Sequence, residues 1–316
     1  MTKLIILIPA YNEEKSIDKT IKGIPKKIHG VDTIEVLVVN DGSVDKTLEM
    51  AMNAGAHVIS HKRNMGVGAT FMTGIRNAVL RDADILITLD ADAQFDPKYI
   101  PELILPILQN QSDVVVGSRF LEIKPTRMPT IKKMGNKIFS KLVSWSVGQH
   151  LTDTQTGFRA YSRETLLNIS IVNEFTYTQE VLIDLKFKGF RIIEVPVSVF
   201  YDENRKSRVV KSIFGYSYRA LSIILKTLVY HRPIMAFGFL GIFLIGVGFL
   251  AKVITMTKFG GITVSAGFSS GLIILGVVGF MMGLFANVVF KRQAFAEKDL
   301  RNYIDELNKK GKLQQG

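Results

Sequence analysis

Two stretches toward the carboxyl end, Ile234 to Ala251 and Ile262 to Phe290, contain no Asp, Glu, Lys or Arg. At about 1.5 Å per helical residue, each is long enough to cross the hydrocarbon core of a bilayer. Charge-free runs of this length, rich in Gly and Phe, suit lipid better than the interior of a soluble domain. The reading is a pair of transmembrane helices, with two buried core helices as the alternative. Basic residues crowd both outer flanks: Arg205, Lys206, Arg208, Lys211 and Arg232 before the pair, Lys291, Arg292, Lys298 and Arg301 after it. The connecting loop holds only Lys252 and Lys258. Because positively charged flanks stay on the cytoplasmic side, a multi-pass cell-membrane protein is expected, with the large amino-terminal part and the tail in the cytoplasm. The apolar stretch near the amino end, Leu4 to Ile8, is too short for a signal peptide.

The charge balance narrows the partners. With 40 Lys and Arg against 28 Asp and Glu, the net charge is +12, which suits nucleic acid, a nucleotide phosphate or an anionic membrane surface. Much of that charge sits beside the apolar runs, where lipid phosphate explains it, and no nucleic-acid motif accompanies it. Nucleic acid is therefore not an expected partner. The absence of cysteine removes disulfides and thiolate metal sites.

Upstream of the spans, short apolar runs alternate with helical patterns. Leu4 to Ile8, Ile34 to Val39, His57 to Ser60, Ile85 to Leu89, Val114 to Val116 and Ile192 to Val195 read as strands too apolar to have a solvated face. Ile17, Ile21, Ile24 and Ile28 recur at helical spacing, as do Ile75 and Val79. The alternation implies an α/β domain with a mostly parallel sheet covered on both faces. The expected division is an α/β domain over 1–210, an interfacial amphipathic helix over 211–232, the membrane hairpin over 233–291 and a short helical cytoplasmic tail over 292–316. A core helix is the alternative for 211–232.

In such sheets ligands gather beyond the carboxyl ends of the strands. The residues there are polar and acidic: "PAYNEE" (9–14), "NDGS" (40–43) and "DADAQ" (90–94). A lone D-x-D is often only a turn or a helix cap, but three such strand ends should converge on one edge. Asp92 and Gln94 offer oxygen ligands for a hard divalent cation, Mg2+ or Mn2+, with Asp90 beside them. Such a cation would neutralise charge on a departing diphosphate, which suits transfer from a nucleotide sugar. "GVGATF" (66–71) lacks the third glycine of a dinucleotide fingerprint and there is no P-loop. The five histidines are scattered without zinc spacing and read as solvated or structural.

In order, "IPAYNEE", "VVNDGSVDKT", "NMGVGATFMTG", "TLDADAQFDP", "VVVGSRF" and "TDTQTGFRAYSRE" resemble the motif series of glycosyltransferase family 2, in its polyprenyl-phosphate sugar synthase branch. The resemblance covers roughly residues 3 to 210. It implies a GT-A fold and inverting transfer of mannose or glucose, from GDP-mannose or UDP-glucose, to dolichyl or polyprenyl phosphate. It implies that Pro9, Tyr11, Glu13 and Asp41 bind the nucleotide, with Gly66 on the substrate side. Asp90 would lie by the diphosphate and sugar, Asp92 and Gln94 would hold the metal, and Arg119 would face the acceptor phosphate. Lys133 and Lys137 would serve the same acceptor.

The acceptor chemistry can be argued without the resemblance. A lipid monophosphate has a second pKa of about 6, so its oxygen attacks as an anion and needs no strong base. Positioning by cations then matters most, and Arg119, Arg159, Arg205 and Lys206 are the candidates for that seat. In relatives with hydroxyl acceptors an acidic residue in the later region acts as base. Here Asp153 or Glu180 is the candidate, either as base or to orient an arginine or the donor. The chain departs from the family pattern just before Phe158, where Thr156 and Gly157 stand in place of an acidic residue.

Two rivals remain in view. A processive polysaccharide synthase would carry a Q-x-x-R-W motif, whereas the single tryptophan, Trp145, follows Ser144. A membrane-attached module that only binds nucleotide sugar would not need Asp90, Asp92 and Gln94 together. The sequence sets neither the sugar nor the oligomeric state, and a homo-oligomer stays open.

Overall fold

A computed structural model describes residues 1–122, 128–170, 177–200, 221–222, 224–227, 229–230, 232–257 and 265–313. The chain divides into two compact units, Met1–Ile224 and Leu225–Gly316.

The first unit is built on a seven-stranded sheet of order β3-β2-β1-β4-β6-β5-β7. Its strands are β1 (Lys3–Ala10), β2 (Thr33–Asn40), β3 (His57–Ser60), β4 (Ile85–Thr88), β5 (Val114–Ser118), β6 (Arg159–Ser162) and β7 (Ile192–Pro196). Helices α1 (Ile17–Lys22), α2 (Thr47–Asn53), α3 (Val67–Leu80), α4 (Ile100–Leu108), α5 (Thr130–Val147), α6 (Arg163–Asn168) and α7 (Thr178–Phe187) connect them. Leu4 through Ile8, Leu86, Ile87 and Val114 through Val116 are completely buried. That burial explains why these strands read as continuous apolar runs, with both faces covered.

Six of the seven strands match the apolar runs, and the α/β reading holds. The seventh, β6, is hidden in "RAYS". It pairs antiparallel with both β4 and β5, Thr88 and Val116 flanking Arg159 in register. All other pairings are parallel. An antiparallel strand starts where its parallel neighbours end. The approach to β6, residues 152–158, therefore lies along the same edge as the loops that leave β4 and β5.

Helix α1 is shorter than its isoleucine spacing suggests. Ile24 and Ile28 are buried with Ile17 and Ile21, yet the helix stops at Lys22. Ile24 precedes Pro25, which disfavours the helical conformation at Ile24 and has no N–H to continue the ladder. The buried spacing persists on irregular chain.

In the second unit, helices covering Ile234–Thr257 and Gly267–Gln293 are long and apolar enough to cross a membrane. Only 17% and 11% of their most apolar windows are buried, unlike core helices of a soluble protein. They pack through small residues. A Cβ on Gly241 would lie 2.5 Å from the Gly276 carbonyl oxygen, and a Cβ on Gly276 would lie 2.5 Å from that of Gly241. Close backbone approach of this kind is how helices associate where lipid supplies no hydrophobic drive between them. The helical tail continues the second of these helices without a break, as one helix from Ala266 to Leu313; no Gly or Pro occurs between Gly283 and Gly311. Of the 211–232 segment, residues 211–220, 223, 228 and 231 lie outside the described residues.

Candidate functional site

The carboxyl edge of the sheet is assembled from three sets of loops. The loops after β1 and β2 are laced to each other. Asn12 N–H donates to Ser43 Oγ (2.9 Å), Val44 N–H to Asn12 Oδ1 (2.9 Å) and Glu13 N–H to Thr47 Oγ1 (2.7 Å). Ser16 Oγ donates to Glu13 Oε2 at 2.8 Å. Pro9, next to last in β1, is half-buried, and Tyr11 stands exposed beyond the strand.

Asp41, buried after β2, anchors the 61–66 loop. Its Oδ1 accepts from Met65 N–H (2.9 Å) and lies 2.7 Å from His61 Nδ1, while Oδ2 accepts from Gly66 N–H (2.9 Å). The far nitrogen of His61 is 3.0 Å from Thr73 Oγ1 on α3. Gly42 is obligatory here: its φ is +69°, and a Cβ would lie 2.5 Å from the Arg63 carbonyl carbon. A carboxylate has about four acceptor positions, so three contacts leave Asp41 little capacity beyond shaping this wall.

The centre is the turn after β4. Asp92 and Gln94 are half-buried, and Gln94 N–H donates to Asp92 Oδ1 at 3.1 Å. Thr20 Oγ1 donates to the Ala91 carbonyl (3.2 Å) and Phe200 N–H to the Gln94 carbonyl (2.9 Å), so the turn is held from both sides. Loss of water pushes the Asp90 carboxyl up to about 7, with Asp92 and then Glu13 adding repulsion and Arg119 and Arg159 opposing it. Burial is the larger cause and the neighbouring carboxylates the smaller, so a positive charge brought to this turn would favour the ionised form. Gly157 backs onto Asp90, where a Cβ would come 2.7 Å from Oδ1. The absence of an acidic side chain before Phe158 thus has a steric reason: any side chain at 157 would displace Asp90.

The third set surrounds Arg119, at the end of β5. Its Nε and Nη2 donate to Asp153 Oδ2 (2.6 Å) and Oδ1 (2.9 Å), and its N–H also donates to Oδ2. Asn136 Nδ2 on α5 donates to Asp153 Oδ1 at 2.8 Å. Burial alone would raise the Asp153 pKa, but the Arg119 guanidinium and these hydrogen bonds outweigh it and hold the carboxyl below its ordinary value. Glu194 in β7 accepts from the N–H groups of Thr152 and Asp153 and from the Thr152 hydroxyl. Burial pushes the Glu194 carboxyl up in spite of those donors. Phe95 and Phe120 lie 6.0 and 5.8 Å from the Arg119 guanidinium carbon.

The other expected site residues are placed differently. Arg159 does not belong to an exposed cationic seat. It is completely buried in β6, where Nη1 donates to the Thr178 carbonyl (2.6 Å) and Nη2 to the Thr154 carbonyl (2.9 Å). Glu180 is buried in the first turn of α7. Lys133 and Lys137 are exposed on α5, alongside the Asn136 and Ser140 row that faces inward. Arg205 and Lys206 lie outside the described residues. His61, Asn136 and Glu194 are site residues that the sequence reading leaves out, and Gly157 appears there only as a departure from the family pattern. His61 directly follows β3, and Glu194 is an acid inside an otherwise apolar strand; both were visible cues.

Glycosyl transferase family 2 matches residues 5–169 of this chain. The chain belongs to glycosyl transferase family 2. Within it, the UDP-N-acetylglucosamine–dolichyl-phosphate N-acetylglucosaminyltransferase of Methanococcus voltae is 34% identical, over 70% of this chain and 96% of that protein. The dolichyl-phosphate hexose transferase of Haloferax volcanii is 34% identical over 61% and 81%. The dolichol-phosphate mannosyltransferase of Pyrococcus furiosus is 28% identical over 68% and 61%. Among solved structures, glucosyl-3-phosphoglycerate synthase of Mycobacterium tuberculosis, in complex with Mn2+, UDP-glucose and phosphoglyceric acid, superposes with a TM-score of 0.59 at 22% identity. It covers 72% of this chain and 80% of that one. The family 2 domain here is a GT-A fold, and the protein is a glycosyltransferase.

Proposed function

We propose that this glycosyltransferase moves a hexose from a nucleoside diphosphate sugar to a dolichyl or polyprenyl phosphate, with inversion at the anomeric carbon. The observation that carries the reading is the state of Asp153. A carboxylate completely buried, gripped by Arg119 through two hydrogen bonds and held below its ordinary pKa is a poor proton acceptor. Glu194 is occupied by the Thr152 and Asp153 donors. This side of the cleft is suited to an acceptor that arrives already ionised, as a phosphate monoester does near neutral pH. The names of the relatives from Methanococcus voltae, Haloferax volcanii and Pyrococcus furiosus point the same way.

In this reading Arg119 receives the acceptor phosphate, Asp153 positions Arg119, and Lys133 and Lys137 with Arg205 and Lys206 supply further positive charge. The acceptor oxygen forms the new bond to the anomeric carbon as the bond to the nucleoside diphosphate breaks. Pro9, Tyr11, Glu13, Asp41 and Gly66 form the nucleotide wall, and Asp90 faces the sugar and diphosphate. Asp92 and Gln94 would hold Mg2+ or Mn2+, which when bound neutralises the departing diphosphate. The carboxylates of Asp92 and Glu13 beside Asp90 fit such a cation. Among the described residues no group of three acidic or histidine side chains could hold a metal alone, which fits an ion sharing its shell with substrate oxygens and water. Either GDP-mannose or UDP-glucose is the donor. The apolar helices cross the membrane, and the catalytic unit lies on the cytoplasmic side with the tail.

The test is transfer of labelled sugar from each donor to a polyprenyl phosphate in detergent, with Mg2+ or Mn2+ and then with chelator. Organic-extractable product from one donor, lost on chelation, is expected. Transfer to a sugar hydroxyl instead of the lipid phosphate would overturn the reading.

A further inference from the structure

Glu194 stands in the middle of β7, where strand alternation separates it from its apolar neighbours. Ile193 and Val195 pack against the core face that includes Val115 and Phe158. Glu194 is therefore on the opposite face, in register with Val116 and two positions before the partner of Ser118. Its oxygens meet donors. Oε1 accepts from the N–H groups of Thr152 and Asp153, both at 2.9 Å. Oε2 accepts from the Thr152 N–H at 2.8 Å and from the Thr152 hydroxyl at 3.0 Å.

These contacts fix the direction of a longer series. An ionised carboxylate only accepts, so the Thr152 hydroxyl gives its proton to Glu194. The Ser118 hydroxyl, 2.6 Å from Thr152 Oγ1, is then the donor of that pair, and Ser118 Oγ in turn accepts from the Phe120 N–H at 3.2 Å. The series runs one way, from Phe120 through Ser118 and Thr152 to Glu194. Ser118 and Phe120 are the residues on either side of Arg119. The Arg119 guanidinium is gripped by Asp153, whose backbone N–H is one of the donors to Glu194. One carboxylate thus reaches both the backbone and the head group of the same arginine. For fastening a loop alone a carboxylate is a poor choice, because the neighbouring Asp153 charge opposes its own. A neutral amide would avoid that repulsion, but it could not accept at both ends.

We infer that Glu194 is a positioning residue for Arg119, acting on its backbone through the Thr152 and Ser118 hydroxyls and on its guanidinium through Asp153. The kinetic consequence rests on the reading of Arg119 as the seat of the acceptor phosphate; the geometric one does not.

Glu194→Gln keeps the shape and turns an NH2 group toward a donor. In the full-length protein in detergent, labelled-sugar transfer would be measured against polyprenyl phosphate at saturating donor and against donor at saturating acceptor. The variant should lose about tenfold or more in kcat/KM for polyprenyl phosphate while the donor KM stays within about twofold. An unchanged acceptor kcat/KM, or an equal loss toward both substrates, would overturn the inference. Amide hydrogen exchange on the same preparation needs no turnover. Exchange should quicken at residues 119–120 as well as at 152–153, and a change at 152–153 alone would reduce Glu194 to a loop fastening. If the wild-type protein transfers no sugar to polyprenyl phosphate, the acceptor reading fails and the exchange result decides the positioning role by itself. Thr152→Val interrupts the series while leaving both backbone donors, so it serves where Glu194→Gln does not fold. It should weaken acceptor kcat/KM and quicken exchange at 119–120, and Thr152→Ser, which restores the hydroxyl, should recover both. Equal behaviour of the valine and serine variants would overturn the hydroxyl route.

Discussion

Replacing Gly157 by alanine should separate catalysis from folding. The new Cβ would stand 2.7 Å from Asp90 Oδ1, 3.1 Å from Oδ2 and 3.2 Å from Cγ, where ordinary contacts begin near 3.4 Å. The Gly157 carbonyl accepts from the buried Thr88 hydroxyl, so the backbone at 157 is pinned to β4. The carboxylate is the freer partner and should give way, by about 0.7 Å along its closest contact. Displacements of about 1 Å among catalytic groups cost on the order of a hundredfold in rate, so a loss of tens of fold in kcat is expected. Stability should move in the other direction or hardly at all. Gly157 does not occupy the left-handed region that only glycine tolerates, and a compatible Gly→Ala change contributes roughly 0.4–1 kcal/mol through the unfolded chain. The assay is labelled sugar transfer to polyprenyl phosphate at saturating donor, beside a thermal melt of the same preparation. Wild-type kcat in the variant would refute the argument that Asp90 must stand where it does. A loss of activity that only tracks a lowered melting temperature would refute the claim that the effect is local.

Asp153→Asn leaves the Arg119 guanidinium largely buried without its counter-charge, at a cost of about 3–5 kcal/mol in unfolding free energy; an unchanged melt would show the pair to be dispensable. The Asp153 pKa is lowered in the folded state, so the pair stabilises fully above the unfolded carboxylate pKa of about 3.9 and fades as pH falls through the lower folded value. The variant should accordingly show a flatter loss of stability on the acid side, read from melts across pH. Asp41→Asn weakens charge-assisted contacts to His61, Met65 and Gly66, worth about 1.5–3 kcal/mol each. It should raise the donor KM roughly tenfold or more with a smaller change in kcat, and a pure kcat effect would contradict a role in shaping the donor wall. Asp92→Ala should bind divalent cation in the presence of nucleoside diphosphate at least about tenfold more weakly, measured by Mn2+ electron resonance; unaltered Mn2+ binding would remove Asp92 from the metal shell.

What could be read from the sequence follows from how each part is stabilised. β1, β4, β5 and the second half of β2 are buried, so burial writes itself into the chain as uninterrupted Ile, Val and Leu, whereas the edge strands β3 and β7 are only partly covered and show as the shorter apolar pairs Val58–Ile59 and Ile192–Ile193. β6 escapes because its partners, not its own residues, make it a strand. Arg159 is tolerated at the centre of the sheet only because the Thr154 and Thr178 carbonyls meet its guanidinium, and neither contact has a local signature. The D-x-D turn was visible because a polar cluster after an apolar run is a local pattern. The Arg119 and Asp153 clamp was legible in part: both are candidates in the sequence, Asp153 as one that could orient an arginine, but which arginine it holds is set only once α5 has folded between them. The end of α1 was available in principle from Ile24 and Pro25, where a rule for proline outranks the periodicity of isoleucine.

The reversed direction of β6 has a mechanical consequence. One short run of chain carries both Asp153, which grips Arg119, and Gly157, which Asp90 rests against. The separation of Arg119 from Asp90 is therefore limited by the reach of that run and by the hydrogen bonds that hold its backbone. It does not depend on how two independent loops happen to close. The segment works as a ruler: lengthening it by a residue would shift Asp153 and its Arg119 partner relative to Asp90 without touching the loops that leave β4 and β5.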